Sequence, residues 1–182
     1  MAGQVIWITG LSGAGKTTVS TELNERLKKS GLVPIVLDGD SLRSLFKEID
    51  NIERTYIRHE RIILSYKYSH LCQILSSQGF TVIIATVSMF REIYAWNRLN
   101  LPNYFEIYLN VPLKELCRRD PKNIYSKFYS GEINNVAGLD LKVDQPKKPN
   151  LTVEFKSGQA SSEIVDIILT NLKLEGIFSS NF

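Results

Sequence analysis

Residues Gly10–Thr18 read Gly-Leu-Ser-Gly-Ala-Gly-Lys-Thr-Thr and follow directly on the apolar run Val5-Ile6-Trp7-Ile8. This segment restricts the fold more than any other. Gly10, Gly13 and Gly15 let the backbone turn tightly and approach an anion where a Cβ would intrude. The N–H groups of such a turn converge into a nest for phosphate oxygens. A helix that begins here aims the positive end of its dipole at the same point. In the pattern G-x-x-x-x-G-K-[ST] the lysine reaches the β- and γ-phosphates and the following hydroxyl takes a Mg²⁺ position. Gly10, Leu11, Ser12, Gly13, Ala14, Gly15, Lys16, Thr17 and Thr18 are therefore the expected nucleotide-binding residues. An accidental glycine-rich turn would lack the strand before it and the amphipathic helix after it.

Beyond this segment, strand-length apolar runs alternate with helical patterns. The strands expected are Val5–Thr9, Val33–Leu37, Phe80–Ala85, Tyr104–Leu109 and Leu151–Phe155. The helices expected are Lys16–Ser30, a short one over Leu42–Ile49 capped by Ser41, Arg54–Ser77, Met89–Leu99, one entered at Pro112 and running to about Arg119, and Ser161–Leu174 with Ile164, Ile167, Ile168 and Leu172 inward. Such alternation implies an α/β fold with a parallel sheet covered by helices on both faces. Ligands of such sheets lie beyond the carboxyl ends of the strands. That edge comprises Gly10–Thr17, Asp38–Asp40, Thr86–Ser88 and Asn110–Pro112. The polar, weakly periodic stretch from about 118 to 150 is too long for a structureless loop inside a compact domain. It is expected to be a lid that keeps water from the γ-phosphate.

At 182 residues the chain is the size of one domain, and no second domain or repeat is apparent. A net charge of +3 is too small for a general nucleic-acid binder. No apolar run approaches membrane-spanning length. The first strand begins almost at once, leaving no room for a targeting segment, so a cytoplasmic location is expected. Cys72 and Cys117 match no metal or redox spacing and are expected to be buried thiols. His59 and His70 show no metal-binding pattern, and the aromatic group Tyr94, Trp96, Tyr104, Phe105 and Tyr108 is expected to pack in the core or a dimer interface. The C-terminal Ile177-Phe178-Ser179-Ser180-Asn181-Phe182 could dock on a partner subunit.

Several features point from phosphate binding to a small-molecule kinase. The chain is too small for a motor ATPase and has no guanine-reading Asn-Lys-x-Asp segment. The strand ending at Ala85 carries no acidic residue, so the carboxylates must come from Asp38 and Asp40. Phosphoryl transfer needs an acceptor oxygen in line with the γ-phosphate and a group to take its proton. Asp40 is placed by topology to be that group, and Asp38 to order Mg²⁺ waters. Arg118, Arg119, Lys122 and Lys127 are cations able to balance charge on the transferring group.

With these residues in hand, the chain resembles the adenylyl-sulfate (APS) kinases, P-loop kinases, over almost its whole length. The matching pieces are Gly10–Thr18, Leu37-Asp38-Gly39-Asp40 with Arg43, Arg61, Val87-Ser88 with Arg91, Phe105–Tyr108, Pro112-Leu113, Arg119–Lys122, Tyr125, Lys127, Gly131–Ile133, Gly138-Leu139-Asp140 and Pro146. The resemblance implies transfer from ATP, with Mg²⁺, to the 3′-hydroxyl of a small nucleotide acceptor, APS in the first place, by a homodimer with a five-stranded parallel sheet. It implies that Asp40 stands beside that hydroxyl, that Arg43 and Arg61 hold the phosphosulfate, that Lys122, Lys127, Gly138 and Leu139 belong to the acceptor site, and that Arg118 and Arg119 lie near the donor. Ser88 matches a serine described as a phosphoserine intermediate. Direct in-line transfer needs no covalent step, and the residues themselves support a ligand-facing hydroxyl at a strand end.

Four departures fall on the acceptor side. Ser41 replaces an asparagine, and Leu64 replaces another beyond Arg61. Tyr56 falls at one of two positions whose aromatic rings clamp the acceptor adenine, but Val136 falls at the other. The lid's Lys-Gly-Leu-Tyr is Lys122-Asn123-Ile124-Tyr125. A lost stacking face is worth on the order of 1–3 kcal/mol. A branch with a smaller base and a neutral amide, the cytidine diphosphoramidate kinases of capsule biosynthesis, fits these departures.

Overall fold

The computed structural model describes residues 3–50, 57–174 and 176, with the side chains of 47–50 left aside. Tyr56 and the C-terminal aromatic tail lie outside the described residues.

Strand β1 (Gln4–Thr9) is followed by α1 (Lys16–Lys29), β2 (Ile35–Asp38), α2 (Gly39–Asp50), α3 (Arg58–Ser77), β3 (Thr81–Thr86), α4 (Arg91–Asn100), β4 (Tyr104–Asn110), α5 (Leu113–Arg119), α6 (Ile124–Tyr129), β5 (Leu151–Glu154) and α7 (Ser161–Leu174). The strands form one sheet in the order β2-β3-β1-β4-β5, every pairing parallel. β1 is central and fully buried, which is why its sequence is continuously apolar rather than alternating. Ile6 and Ile8 face one core layer with Leu23 and Leu27 of α1 and Ile168 of α7. Val5 and Trp7 face the other with Leu64 and Tyr68 of α3 and Ile93 of α4. The aromatic group around β4 belongs to this packing: Phe105, Tyr94 and Tyr108 are buried.

The elements expected from sequence are present, with local corrections. β2 starts at Ile35, not Val33, because this edge strand has only β3 to pair with and that ladder opens at Ile35↔Val82. Ser41 is not the cap of α2. The helix starts at Gly39, and Asp38 accepts from the Asp40 and Ser41 N–H groups at 3.0 and 3.1 Å. Val165, not Ile167, is among the buried residues of α7. Cys72 is buried, which pushes its thiol up to about 12, whereas Cys117 is only half-buried.

The stretch expected to be a lid contains the helix α6, which periodicity alone did not reveal. Its start is fixed by Asp120, whose carboxylate accepts from Tyr125 N, Ser126 N and Ser126 Oγ at 3.0, 2.8 and 2.8 Å. Those donors hold the Asp120 carboxyl below the usual range against the cost of its own desolvation. Asp140 does the same for a turn, accepting from Asn135 N and Val136 N at 2.8 and 2.7 Å. The segment's exit is anchored at Asp144. Asp144 donates its N–H to Met89 O at 2.8 Å, and its carboxylate accepts from Arg58 Nη2 at 2.6 Å and Arg91 N at 3.2 Å.

Candidate active site

The carboxyl ends of β1, β2 and β3 open into a cleft of about 670 Å³, roofed by residues of the 119–137 stretch. Its floor is the glycine-rich loop. Gly13 and Gly15 have φ of +80° and +93°, left-handed values that a Cβ would strain. Gly15 immediately precedes α1, so the helix's free N–H groups face the cleft. Lys16 Nζ donates to Leu11 O at 2.8 Å, holding the ammonium across the loop. Burial pushes Lys16 down to about 7; Lys122 and Arg43 add to the shift and Asp38 opposes it.

Asp38 joins the loop to α2. One carboxylate oxygen caps that helix, and the other accepts from Thr17 Oγ1 at 3.1 Å. The resulting hydroxyl–carboxylate pair suits a hard cation. Gly39 is required beside it, since a Cβ there would stand 2.9 Å from Thr86 Oγ1. Asp40 follows in the first turn of α2 and lines the cleft, with Arg43 Nη2 on one oxygen and Lys122 Nζ on the other. The carboxylate expected to accept the proton therefore faces the phosphate loop's cleft, between two cations.

The opposite wall comes from α3, whose residues Glu60, Arg61, Leu64, Ser65 and Tyr68 share one face at helical spacing. Arg61 Nη2 donates to Asn135 O at 2.7 Å, and Asn134, Asn135 and Val136 continue this wall. Ser88 closes the end of β3 with φ +23°. Its Oγ lies 2.8 Å from Ser65 Oγ and 2.9 Å from Thr86 Oγ1. Both partners are hydroxyls, so neither can act as the base a serine nucleophile requires.

The structure brings the phosphate loop, Asp38, Asp40, Arg43, Arg61, Ser88, Arg119 and Lys122 together. It does not bring Arg118, Lys127, Gly138 or Leu139 to the cleft wall. Arg118 points to solvent on a Glu115 carboxylate that both arginines hold down at about 2. Lys127 is exposed on α6. Gly138 instead packs under the loop, a Cβ there standing 2.8 Å from Leu11 Cδ1, and Leu139 packs against the core. Sequence reading passed over Glu60, Ser65 and Tyr68, although their spacing from Arg61 and Leu64 was available. It also passed over Phe155, whose ring lies 5.1 Å under the Arg119 guanidinium and which no local pattern marks.

A family model described as adenylylsulphate kinase matches residues 2–154. The chain belongs to the adenylylsulphate kinase family. It is 39% identical over 170 residues to the cytidine diphosphoramidate kinase of Campylobacter jejuni, covering 93% of this chain and 96% of that one. It is 34% identical over 173 residues to the adenylyl-sulfate kinase of Pseudomonas aeruginosa, covering 92% and 86%. The structure of the Mycobacterium tuberculosis APS kinase CysC in complex with AMPPNP and APS matches with a TM-score of 0.84 at 29% identity, over 94% of this chain and 98% of that one. As a member of this family the protein is a nucleotide-binding P-loop kinase, a phosphotransferase. Among the described residues no helix is long and apolar enough to cross a membrane.

Proposed function

We propose that this kinase transfers the γ-phosphate of ATP to the 3′-hydroxyl of a nucleoside diphosphoramidate, cytidine diphosphoramidate in the first place. One observation carries the choice of acceptor. Leu64 and Val136, 6% and 5% exposed, both line the acceptor half of the cleft, where the family resemblance leads one to expect an amide side chain and an aromatic ring. Leucine offers no hydrogen bond to a sulfate, and valine offers less stacking surface to a purine. A smaller pyrimidine with a P–NH₂ terminus asks for neither. The similarity to the Campylobacter enzyme supports the same reading. Adenylyl sulfate is the second reading, favoured by Arg43 and Arg61 on the cleft wall and by the likeness to an enzyme solved with that ligand.

The donor triphosphate lies along the loop N–H groups and Lys16, with its base near Arg119 and Phe155, whose planes offer cation–π and stacking contacts. Thr17 and Asp38 fit Mg²⁺, the hydroxyl as a direct ligand and the carboxylate through water. Among the described residues no three acidic, cysteine or histidine side chains cluster, so phosphate oxygens and water complete the shell. The ion would neutralise charge on the phosphates. Asp40 takes the proton of the attacking 3′-oxygen as the bond from that oxygen to the γ-phosphorus forms and the bond to the β–γ bridging oxygen breaks. Arg43 and Lys122 occupy both Asp40 oxygens, so the hydroxyl gains access when these cations turn to the incoming phosphates. Turnover assays with Mg-ATP and each acceptor test this reading. A higher kcat/KM for cytidine diphosphoramidate than for APS is expected; the reverse order would hand the site to the second reading, and inertness toward both would remove the acceptor assignment.

A further inference from the structure

In this structure the side chain of Asp40 is held by Arg43 and Lys122, the two cations that turn to the phosphates before a hydroxyl can reach it. Once they turn, the aim of the carboxylate depends on its backbone. The residue before it is Gly39, which has no side chain to lock it, since a Cβ there would stand 2.9 Å from Thr86 Oγ1. The Gly39–Asp40 peptide is instead tied by side chains at both of its polar atoms. Asp40 N donates to Asp38 Oδ1 at 3.0 Å, and Gly39 O accepts from the Tyr68 hydroxyl at 3.1 Å.

A peptide unit is planar, so fixing its N–H and its C=O fixes the plane from which the Cα–Cβ bond of Asp40 departs. A carbonyl oxygen has two lone pairs, so the Tyr68 bond is compatible with the helix ladder of α2. The two anchors belong to different parts of the site. Asp38 is the carboxylate beside Thr17, and Tyr68 sits on the α3 face that walls the acceptor half. Tyr68 is 3% exposed, its ring lies 6.1 Å from that of Phe46 on α2, and its bond to Gly39 is buried, where water does not compete for it. We propose that Tyr68 is a positioning residue for Asp40. It ties the peptide that carries the base to the helix that walls the acceptor, so that the carboxylate keeps its aim at the hydroxyl after Arg43 and Lys122 let go. The inference rests on the reading of Asp40 as the base and holds for either acceptor named above.

The test is a double-mutant cycle read in kcat. Wild type, Tyr68→Phe, Asp40→Asn and the double variant are assayed with Mg-ATP on cytidine diphosphoramidate and on adenylyl sulfate, with thermal melts of each protein. Tyr68→Phe keeps the ring and its packing on Phe46 and removes only the hydroxyl. It is expected to lower kcat about 5- to 20-fold, because small misplacements of a reacting group are costly. KM for ATP and for the acceptor should stay within about twofold of wild type, a split that a general loosening of the fold would not give. Added to Asp40→Asn, the same change is expected to lower kcat by less than about twofold more, because no base is left to position. An unchanged kcat in Tyr68→Phe, an equal loss in both backgrounds, or a Tyr68→Phe protein that is unfolded at the assay temperature would overturn the role of Tyr68 and leave Asp40 as the base. A loss of less than about tenfold in Asp40→Asn would remove the base reading itself, and wild-type inertness toward both acceptors would remove the acceptor assignment. In either case the proposal for Tyr68 falls with it.

Discussion

The two halves of the cleft are built by different rules. The phosphate-binding part of the donor half comes from one continuous piece of chain, β1, the glycine-rich loop and the start of α1. Every part of it is dictated by neighbours in sequence: a buried strand, glycines at left-handed φ, and a lysine tethered within its own loop. The acceptor half is assembled from α2, the face of α3, the end of β3 and the 122–137 stretch, which meet only in three dimensions. The first half is fixed by the need to bind a polyphosphate. In the proposed reading the second half can change its residues without disturbing the first, and two of the departures expected from the family resemblance, Leu64 and Val136, line it. Substitutions in the donor half are therefore expected to act on ATP and those in the acceptor half on the nucleotide it phosphorylates, with Asp40 at the junction acting on the chemistry.

Asp40→Asn gives the largest effect expected. kcat should fall by about 10²- to 10⁴-fold, the range for loss of a general base, with ATP binding retained. Because Asp40 and its partners are partly exposed, their ion pairs add little to stability, and the melting temperature should barely move. Transient and steady-state kinetics check this, and a kcat within tenfold of wild type would break the assignment. Arg119→Ala should raise the KM for ATP by about tenfold through loss of stacking and charge, leaving the acceptor KM alone. Arg118→Ala should change neither, because that side chain is 73% exposed and tied to Glu115. Equal effects from the two arginines would erase the distinction the structure draws between them. Gly138→Ala probes the place where the halves touch. A Cβ at φ +87°, pressing on Leu11, should cost about 1–2 kcal/mol of stability and shift both KM values, read by thermal melts and two-substrate kinetics.

A proton balance in the donor half gives an effect of a different kind. Lys16 is pushed down to about 7 by burial and by its cationic neighbours, so the folded protein holds this proton less tightly than the unfolded chain does. Between about pH 7 and the ordinary lysine range the unfolded chain binds more protons. Over that window the nucleotide-free protein should gain stability as pH rises, and Lys16→Met should flatten the slope. Phosphates bring the ammonium back, so ATP binding at pH 8 should take up close to one proton, and at pH 6 almost none. Calorimetry in buffers of different ionisation enthalpy measures the uptake. A buffer-independent enthalpy at pH 8 would show that the lysine is already charged.

This division also explains what the sequence disclosed. The strands, α1, the parallel sheet and the loop follow from apolar runs and glycine placement, all local signals. Asp38 and Asp40 were legible because they end a strand beside the phosphate loop. The capping of α2 by Asp38 rather than Ser41 was not, since both residue types cap helices and the choice turns on where β2 ends. The α6 helix was hidden because its start is set by Asp120 side-chain bonds instead of an apolar stripe. Arg118 and Arg119 cannot be told apart until the direction of α5 is known, and Gly138 declares its role only through Leu11, far away in sequence. Glu60, Ser65 and Tyr68 belonged to a visible helical stripe, but that this stripe lines the same cleft as the phosphate loop appears only in three dimensions.

The most direct test of the account is to locate the new bond. After reaction of Mg-ATP with cytidine diphosphoramidate, ³¹P and ¹³C NMR of the product should show a single phosphomonoester on the 3′-carbon of the ribose, formed in step with ADP and about 10²-fold or more slower with the Asp40→Asn variant. ADP appearing with free inorganic phosphate, or an ester on any other oxygen, would contradict a cleft that sets the γ-phosphate against a 3′-hydroxyl beside Asp40.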